Sequence, residues 1–319
     1  MIASQENNSL IVLIVAYNRP DFLSDRLQNA LDAGIKNLFV SVDFLDLQTT
    51  GCMKQIIEEF TEIWPIKYKI SARYHTVNQG LSNHITESVS ELLEIYREII
   101  VIEDDISFSS TTIQSLEYGL IEMRKDSRIA SVGCYSGVPI PRRFQIKNKF
   151  RLSPYFACWG WATSSVVWQN YTKEISLELI ESELSKSKLW SNLNSSRKST
   201  WRGRFKKVSR NSDYTWDIQF QYMCFKNEML NLLPLFPIVE NLGFNDIRSS
   251  HTNSRKPYWM VGDTGVSNQI FKVTYNRILK RIIDEIESLT LFGDNQKMIS
   301  LLRQLFGITL RLRKGISSK

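Results

Sequence analysis

Cysteine and histidine are scarce: the 319 residues hold four of the first and three of the second. The cysteines, at positions 52, 134, 158 and 224, never fall in CxxC spacing. Ligand supply therefore argues against a structural zinc site. Lone scattered thiols in a chain of this size fit a reducing compartment. No apolar run comes near the roughly 18 residues that cross a bilayer. The opening MIASQENNSL has no basic segment leading into an apolar one, so no secretory leader is expected. Neither GxGxxG nor the GxxxxGK[ST] loop occurs, which disfavours an ordinary dehydrogenase or a P-loop NTPase. Internal repeats are missing as well.

What is present is ordinary globular composition, 43% hydrophobic and 23% charged, with a net charge of +7. A basic balance suits polyanions: nucleic acid, anionic lipid headgroups or phosphorylated small molecules. Residues 10–16, LIVLIVA, read as a strand buried on both faces. Asn18-Arg19-Pro20 breaks it, and Phe22, Leu23, Leu27, Ala30 and Leu31 recur at helical spacing up to Gly34. Strands at 38–42, 68–74, 99–102 and 129–134 alternate with helices at 56–60, 81–96 and 113–123. That alternation predicts an α/β fold with a doubly wound sheet, in which ligands bind at the carboxyl ends of the strands.

The second half is less regular. Pro139 and Pro141 mark a loop. Residues 185–212 hold nine Lys/Arg and no acid, and read as a flexible basic loop that could close over a donor diphosphate or an anionic acceptor. Trp190, Trp201 and Phe205 are interleaved there, so nucleic-acid binding also comes into view, though it is not favoured. Residues 216–225 and 268–289 read as helices. Over 301–314, Leu301, Leu302, Leu305, Phe306, Ile308 and Leu312 project to one side and Arg303, Arg311 and Lys314 to the other, with Leu310 and Arg313 fitting imperfectly. This basic amphipathic pattern suits an anionic membrane surface.

One short stretch carries the most chemistry. In VIEDDI, Glu103, Asp104 and Asp105 follow an apolar strand. Adjacent carboxylates repel, and a hard divalent cation relieves that repulsion while taking oxygen ligands. A solvated acidic turn is the plainer alternative. Asp43 and Asn78-Gln79-Gly80 end other strands, so their polar groups converge on the same crevice. Trp159-Gly160-Trp161 offers aromatic faces that stack on sugars, or pack in a core. Asp217 beside Trp216 is either a general base or a first-turn carboxylate.

VIEDDI resembles the DxD element of GT-A glycosyltransferases, with EDD as in the N-acetylglucosaminyltransferase I-like family and its bacterial relatives. Other pieces are similar in order: VLIVAYNRPDFLSDRLQNAL, VSVDF, NQGLSNHI, YFACWGWATSSVVW, YTWDIQFQYMCF and NLGFNDIRSSHT. The resemblance spans about residues 9–253. It implies a GT-A (Rossmann-like) mixed, mostly parallel sheet flanked by helices, with a C-terminal helical extension. The catalytic domain would be residues 1–265, with a nucleotide-binding half over 1–135 and an acceptor half over 136–265. Residues 266–319 would form the helical region.

The resemblance also implies roles. Asp105 would hold Mn²⁺ or Mg²⁺, with His251 as a second metal ligand. Asp104 and Glu103 would serve the donor nucleotide or sugar. Asp43 would bond the base, Arg19 would lie near the nucleotide, and Asn78 and Gly80 would form the phosphate turn. Trp159, Gly160 and Trp161 would meet acceptor or sugar, and Asp217 would be the base, with Asp213 its competitor. The implied reaction transfers a sugar from a nucleotide-diphosphate sugar, with a UDP-sugar favoured, to a surface glycan or lipid-linked saccharide. One acceptor-side base means direct displacement with inversion; a double displacement stays open. A metal-dependent nucleotidyltransferase is the rival enzyme. The expected place is the cytoplasm, with peripheral attachment to the inner face of the cell membrane.

Overall fold

The computed structural model describes residues 10–138, 149–244, 246–249, 272–273, 277–291, 297–298 and 300–301. The proline loop at 139–141, His251 and residues 302–314 of the expected amphipathic helix lie outside them. LIVLIVA forms β1 (Ile11–Ala16), buried at all six positions. Successive strand side chains point to opposite faces. Val12, Ile14 and Ala16 accordingly enter one core, while Ile11, Leu13 and Val15 enter another. With both faces covered, polar alternation has no place in this strand.

β1 pairs in parallel with β2 (Asn37–Val42) and β4 (Glu98–Glu103), and β2 with β3 (Lys69–Tyr74). β5 (Ile106–Ser107) pairs apart from the main sheet, with β10 (Glu240–Asn241). The sheet continues through β6 (Ile129–Gly133), β7 (Lys149–Ser153), β8 (Trp161–Ser164), β9 (Leu230–Pro234) and β11 (Lys272–Val273). Its order is β11-β7-β9-β6-β8-β4-β1-β2-β3. β8 runs antiparallel to both β4 and β6, and β7 antiparallel to β9. Helices α1 (Pro20–Asp32), α2 (Leu47–Ile63) and α4 (Ser110–Lys125) cover one face. α3 (Gly80–Ile95), α5 (Ser165–Trp168) and α9 (Asp217–Lys226) cover the other. The mixed, mostly parallel α/β sheet flanked by helices is therefore present.

Three expectations change. α2 begins nine residues before Ile56, because the Asp46 carboxylate caps it, accepting from the Thr49 amide at 2.7 Å. The stretch expected as a flexible loop at 185–212 is helical. α6 (Ile180–Leu184) leads into α7 (Lys188–Ser191) and α8 (Ser195–Arg210). Trp201, Phe205 and Val208 recur at i, i+4, i+7 on α8 and bury with Trp190, Tyr222 and Phe225 in a core of their own. Aromatics so enclosed cannot stack nucleic-acid bases.

The helix expected over 268–289 is β11 followed by α10 (Arg277–Leu291), because 272–273 pairs with β7. The C-terminal helical region thus also completes the sheet. α10 is held by Arg151 of β7, which is fully buried. Arg151 contacts Asp284 at 3.1 Å and Glu287 at 2.5 Å, and Ser153 Oγ donates to Glu287 at 2.7 Å. Among the described residues no helix is long and apolar enough to cross a membrane.

Candidate active site

A cavity of about 600 Å³ lies at the carboxyl ends of β1, β2 and β4. Arg19, Asp43, Asn78, Gly80, Glu103, Asp104, Asp105, Trp159 and Asp217 all line it, so residues separated by up to two hundred positions converge.

The acid triplet divides into different environments. Asp104 is 2% exposed and tied to the end of β1, accepting from the Tyr17 amide at 3.2 Å. Arg19 meets Asp104 at 2.5 Å and Asp105 at 3.0 Å. Arg26, buried behind the triplet, donates to the Asp104 carbonyl at 3.2 Å. Two guanidiniums, Arg19 and Arg26, are too little charge for three buried carboxylates. Burial, opposed by Arg19 and aided by Asp105, raises Asp104 to about 6. Burial raises Asp105 despite Arg19. Glu103 is pushed well above the usual carboxylate range by burial and by the charges of Asp105 and Asp104, with Asp217 adding to them. Arg19 rises in return: burial works against its charge, and the two aspartates outweigh that.

Asp43 and the Asn78 turn are committed to backbone. Asp43 Oδ1 accepts from the amides of Phe44 at 2.9 Å and Gln79 at 2.8 Å, and Oδ2 from Gly80 at 3.2 Å. Asn78 donates to the Tyr17 hydroxyl and the Phe44 carbonyl, both at 3.0 Å, and accepts from Gly80 at 2.9 Å. The Gly80 amide, expected to approach a phosphate, is thus taken by two side chains. Its φ of +74° explains the glycine. These residues shape the crevice wall between β2 and α3. His84 lines it too, with Nε2 2.8 Å from Ser41 Oγ; burial, against the pull of Asp43, lowers it to about 4.

Asp217 opens α9 and accepts from Thr215 Oγ1 through Oδ1; the turn before it is tied to α3, Ser82 Oγ donating to the carbonyls of Ser212 at 3.1 Å and Thr215 at 3.2 Å. Asp213 is outside the cavity, exposed and paired with Lys173 at 2.5 Å. Trp159 faces the cavity, packed on Tyr135 at 4.4 Å. Gly160 and Trp161 do not. Trp161 is 1% exposed and stacks on Trp216 at 4.9 Å, because the β8 alternation turns it into the core. Gly160, at φ +66°, makes the turn between them. Both expected sugar contacts are corrected to structural positions.

Several lining residues were given no role by the sequence, although NLGFNDIRSSHT contains Arg248 and Ser249 and YTWDIQFQYMCF contains Tyr214 and Thr215. Arg248 is held by Asp21 at 2.6 Å and by Asp246 at 2.6 Å, and its guanidinium lies 5.1 Å from the Phe22 ring, which Arg19 also approaches at 5.5 Å. Ser249 accepts from Arg19 at 3.3 Å. Tyr214, Thr215, Glu287 and Leu291 complete the lining. Only tertiary contact places these at the cavity.

No three His, Cys, Asp or Glu groups among the described residues surround one point, so the triplet is no closed metal cage. The under-neutralised charge of Glu103 and Asp105 at the cavity does fit an ion held by one or two carboxylates and completed by substrate phosphates.

The crowding has a measurable consequence. Glu103→Gln is expected to stabilise the ligand-free protein at pH 8 and to have little effect near pH 4. A carboxyl whose folded pKa is raised binds more protons folded than unfolded between the two values, so its cost grows as pH rises through that window. Melting curves at both pH values check this; an equal shift at each would contradict it.

No family model matches the sequence, and no curated protein matches it. Among solved structures it is similar to a chain assigned as a glucose-1-phosphate thymidylyltransferase from Bacillus anthracis, in complex with sucrose. Identity is 9%, covering 61% of this chain and 83% of that one, with a TM-score of 0.32. A likeness so distant decides nothing about the site.

Proposed function

We propose that the protein is a metal-dependent, inverting glycosyltransferase that uses a nucleotide-diphosphate sugar, a UDP-sugar being favoured. Its acceptor would be a surface glycan or lipid-linked saccharide. The observation that carries this reading is that an acid cluster at the end of β4 and Asp217 at the start of α9 line one cavity. Glycosyl transfer needs charge stabilisation at the departing diphosphate and a base at the attacking hydroxyl, on opposite sides of the sugar.

Asp105 would hold Mn²⁺ or Mg²⁺, with His251, outside the described residues, as a further ligand, and Glu103 would support the donor nucleotide or sugar. The ion would neutralise charge on the leaving diphosphate. Arg19 is positioned to add its own positive charge on that side. Thr215 orients the Asp217 carboxylate, whose Oδ2 has no hydrogen-bond partner among the described residues and could take the acceptor proton.

The test is to incubate the protein with UDP-sugars and Mn²⁺ and to identify the small product. Free UDP supports transfer; no UDP from the UDP-sugars, with pyrophosphate released in a parallel incubation with UTP and a sugar 1-phosphate, identifies a nucleotidyltransferase instead. Thermal shift gives a second readout, since ligand at about 100 times Kd adds roughly 2.7 kcal/mol of stability.

A further inference from the structure

We propose that the exposed face of α8 is a membrane-docking surface, on which Lys206, Lys207 and Arg210 adsorb to an anionic lipid leaflet. The docking follows from α8 itself. Its bearing on the acceptor rests on the glycosyl-transfer reading: of the two acceptor classes, it selects the lipid-linked saccharide.

The helix has two unlike faces. Trp201, Phe205 and Val208 are buried and pack with Tyr222 and Phe225 of α9. Ser199, Gly203, Lys206 and Arg210 recur on the other side and are exposed. Across its 16 residues α8 carries seven Lys/Arg and no acid. Its earlier arginines are spent locally. Arg197 pairs with Glu285 at 3.1 Å, Arg202 pairs with Glu181, and Arg204 lies over the Trp201 ring and donates to the Leu291 carbonyl.

The end of the helix differs. Lys206, Lys207 and Arg210 are exposed and form no ion pair among the described residues. Glu181 feels Lys206 but is already bound to Arg202, and Asp213 is taken by Lys173 at 2.5 Å. Lys207 rests on the Tyr214 ring, 3.6 Å from its centroid, a contact that leaves its charge in place. Three cations without carboxylates thus project from one helix end, in a chain whose net charge is +7.

The chemistry of this face chooses the partner. Beside the cations stand Ser196, Ser199, Thr200 and Gly203, which supply none of the aromatic or large apolar anchors of a protein interface. The aromatics of α8 are enclosed, so nucleic-acid bases find nothing to stack on. A headgroup layer needs neither, because its surface potential attracts cations by charge alone. The turn joining Arg210 to Asp217 includes Tyr214, Thr215 and Trp216, which line the cavity. A leaflet against the end of α8 therefore lies close to the cavity, within reach of a saccharide carried on a lipid.

The test is co-sedimentation of the full chain with phosphatidylcholine vesicles, with and without phosphatidylglycerol. The wild type should bind only the anionic vesicles, and less as salt rises. Each cation removed should weaken binding about fivefold, so Lys206→Gln, Lys207→Gln, Arg210→Gln together should cost about 100-fold. The charge-keeping pair Lys206→Arg, Lys207→Arg should bind like the wild type. The triple variant should keep its thermal shift with UDP and Mn²⁺, which shows that it is folded. Equal binding to both vesicles, or no binding, overturns the docking surface. So does binding that survives the triple variant but is lost in Arg303→Gln, Arg311→Gln, Lys314→Gln. Retention of poly(U) RNA by a protein that ignores vesicles overturns it in favour of nucleic acid. Vesicle binding without any UDP shift in the wild type leaves the docking standing and removes the transfer reading, and with it the choice of acceptor.

Discussion

Arg151→Met should lower folding stability by about 3–5 kcal/mol, the usual loss when one partner of a buried ion pair is removed. Arg151 is 0% exposed and Glu287 2% exposed, so the variant leaves a carboxylate enclosed without its cation. Stabilities of whole domains are about 5–15 kcal/mol, which makes this a large fraction. The loss should fall on α10 first, because Asp284 and Glu287 are what tie it to β7. The double variant Arg151→Met, Glu287→Met removes the stranded charge and should recover much of the loss. Denaturant melts of the three proteins decide the matter. A single variant within 1 kcal/mol of wild type, or a double variant no better than the single, would refute the staple.

Asp217→Asn should cut kcat by about 10²–10⁴-fold, the range associated with a positioned acid or base, while donor binding persists. The amide keeps the shape and can still accept from Thr215, but it cannot take a proton. Asp213→Asn should remain near wild type, since that carboxylate stands outside the cavity and serves Lys173. Initial rates of UDP release, together with thermal shift by UDP, separate the outcomes. Activity lost through Asp213→Asn but kept in Asp217→Asn would reverse the assignment.

The sheet was legible because its central strands are buried on both faces. Runs such as LIVLIVA allow few other readings, and the strands around them follow from length and punctuation. The basic stretch misled because charge count dominated its appearance, although Trp201, Phe205 and Val208 already stood at helical spacing. In the site, the positions of Asp105 and Asp217 relative to strand and helix ends could be read directly. Local pattern could not tell whether a strand-end polar group serves ligand or backbone. Asp43, Asn78 and Gly80 all reach the crevice, yet they bond to each other's neighbourhood. Nor could it give a role to Arg248 or Ser249, whose partners at Asp21 and Arg19 lie about 230 residues away. Trp161 was misassigned for a simpler reason: one residue of strand alternation separates a wall from a core.

That misassigned tryptophan has an optical consequence. Trp161 and Trp216 stack 4.9 Å apart at an interplanar angle of 26°, close enough for their indole transitions to couple. Trp216 touches the cavity and immediately precedes Asp217. The molecule therefore carries a built-in chromophore pair whose near-ultraviolet dichroism reports on the wall bearing Asp217, without any added label.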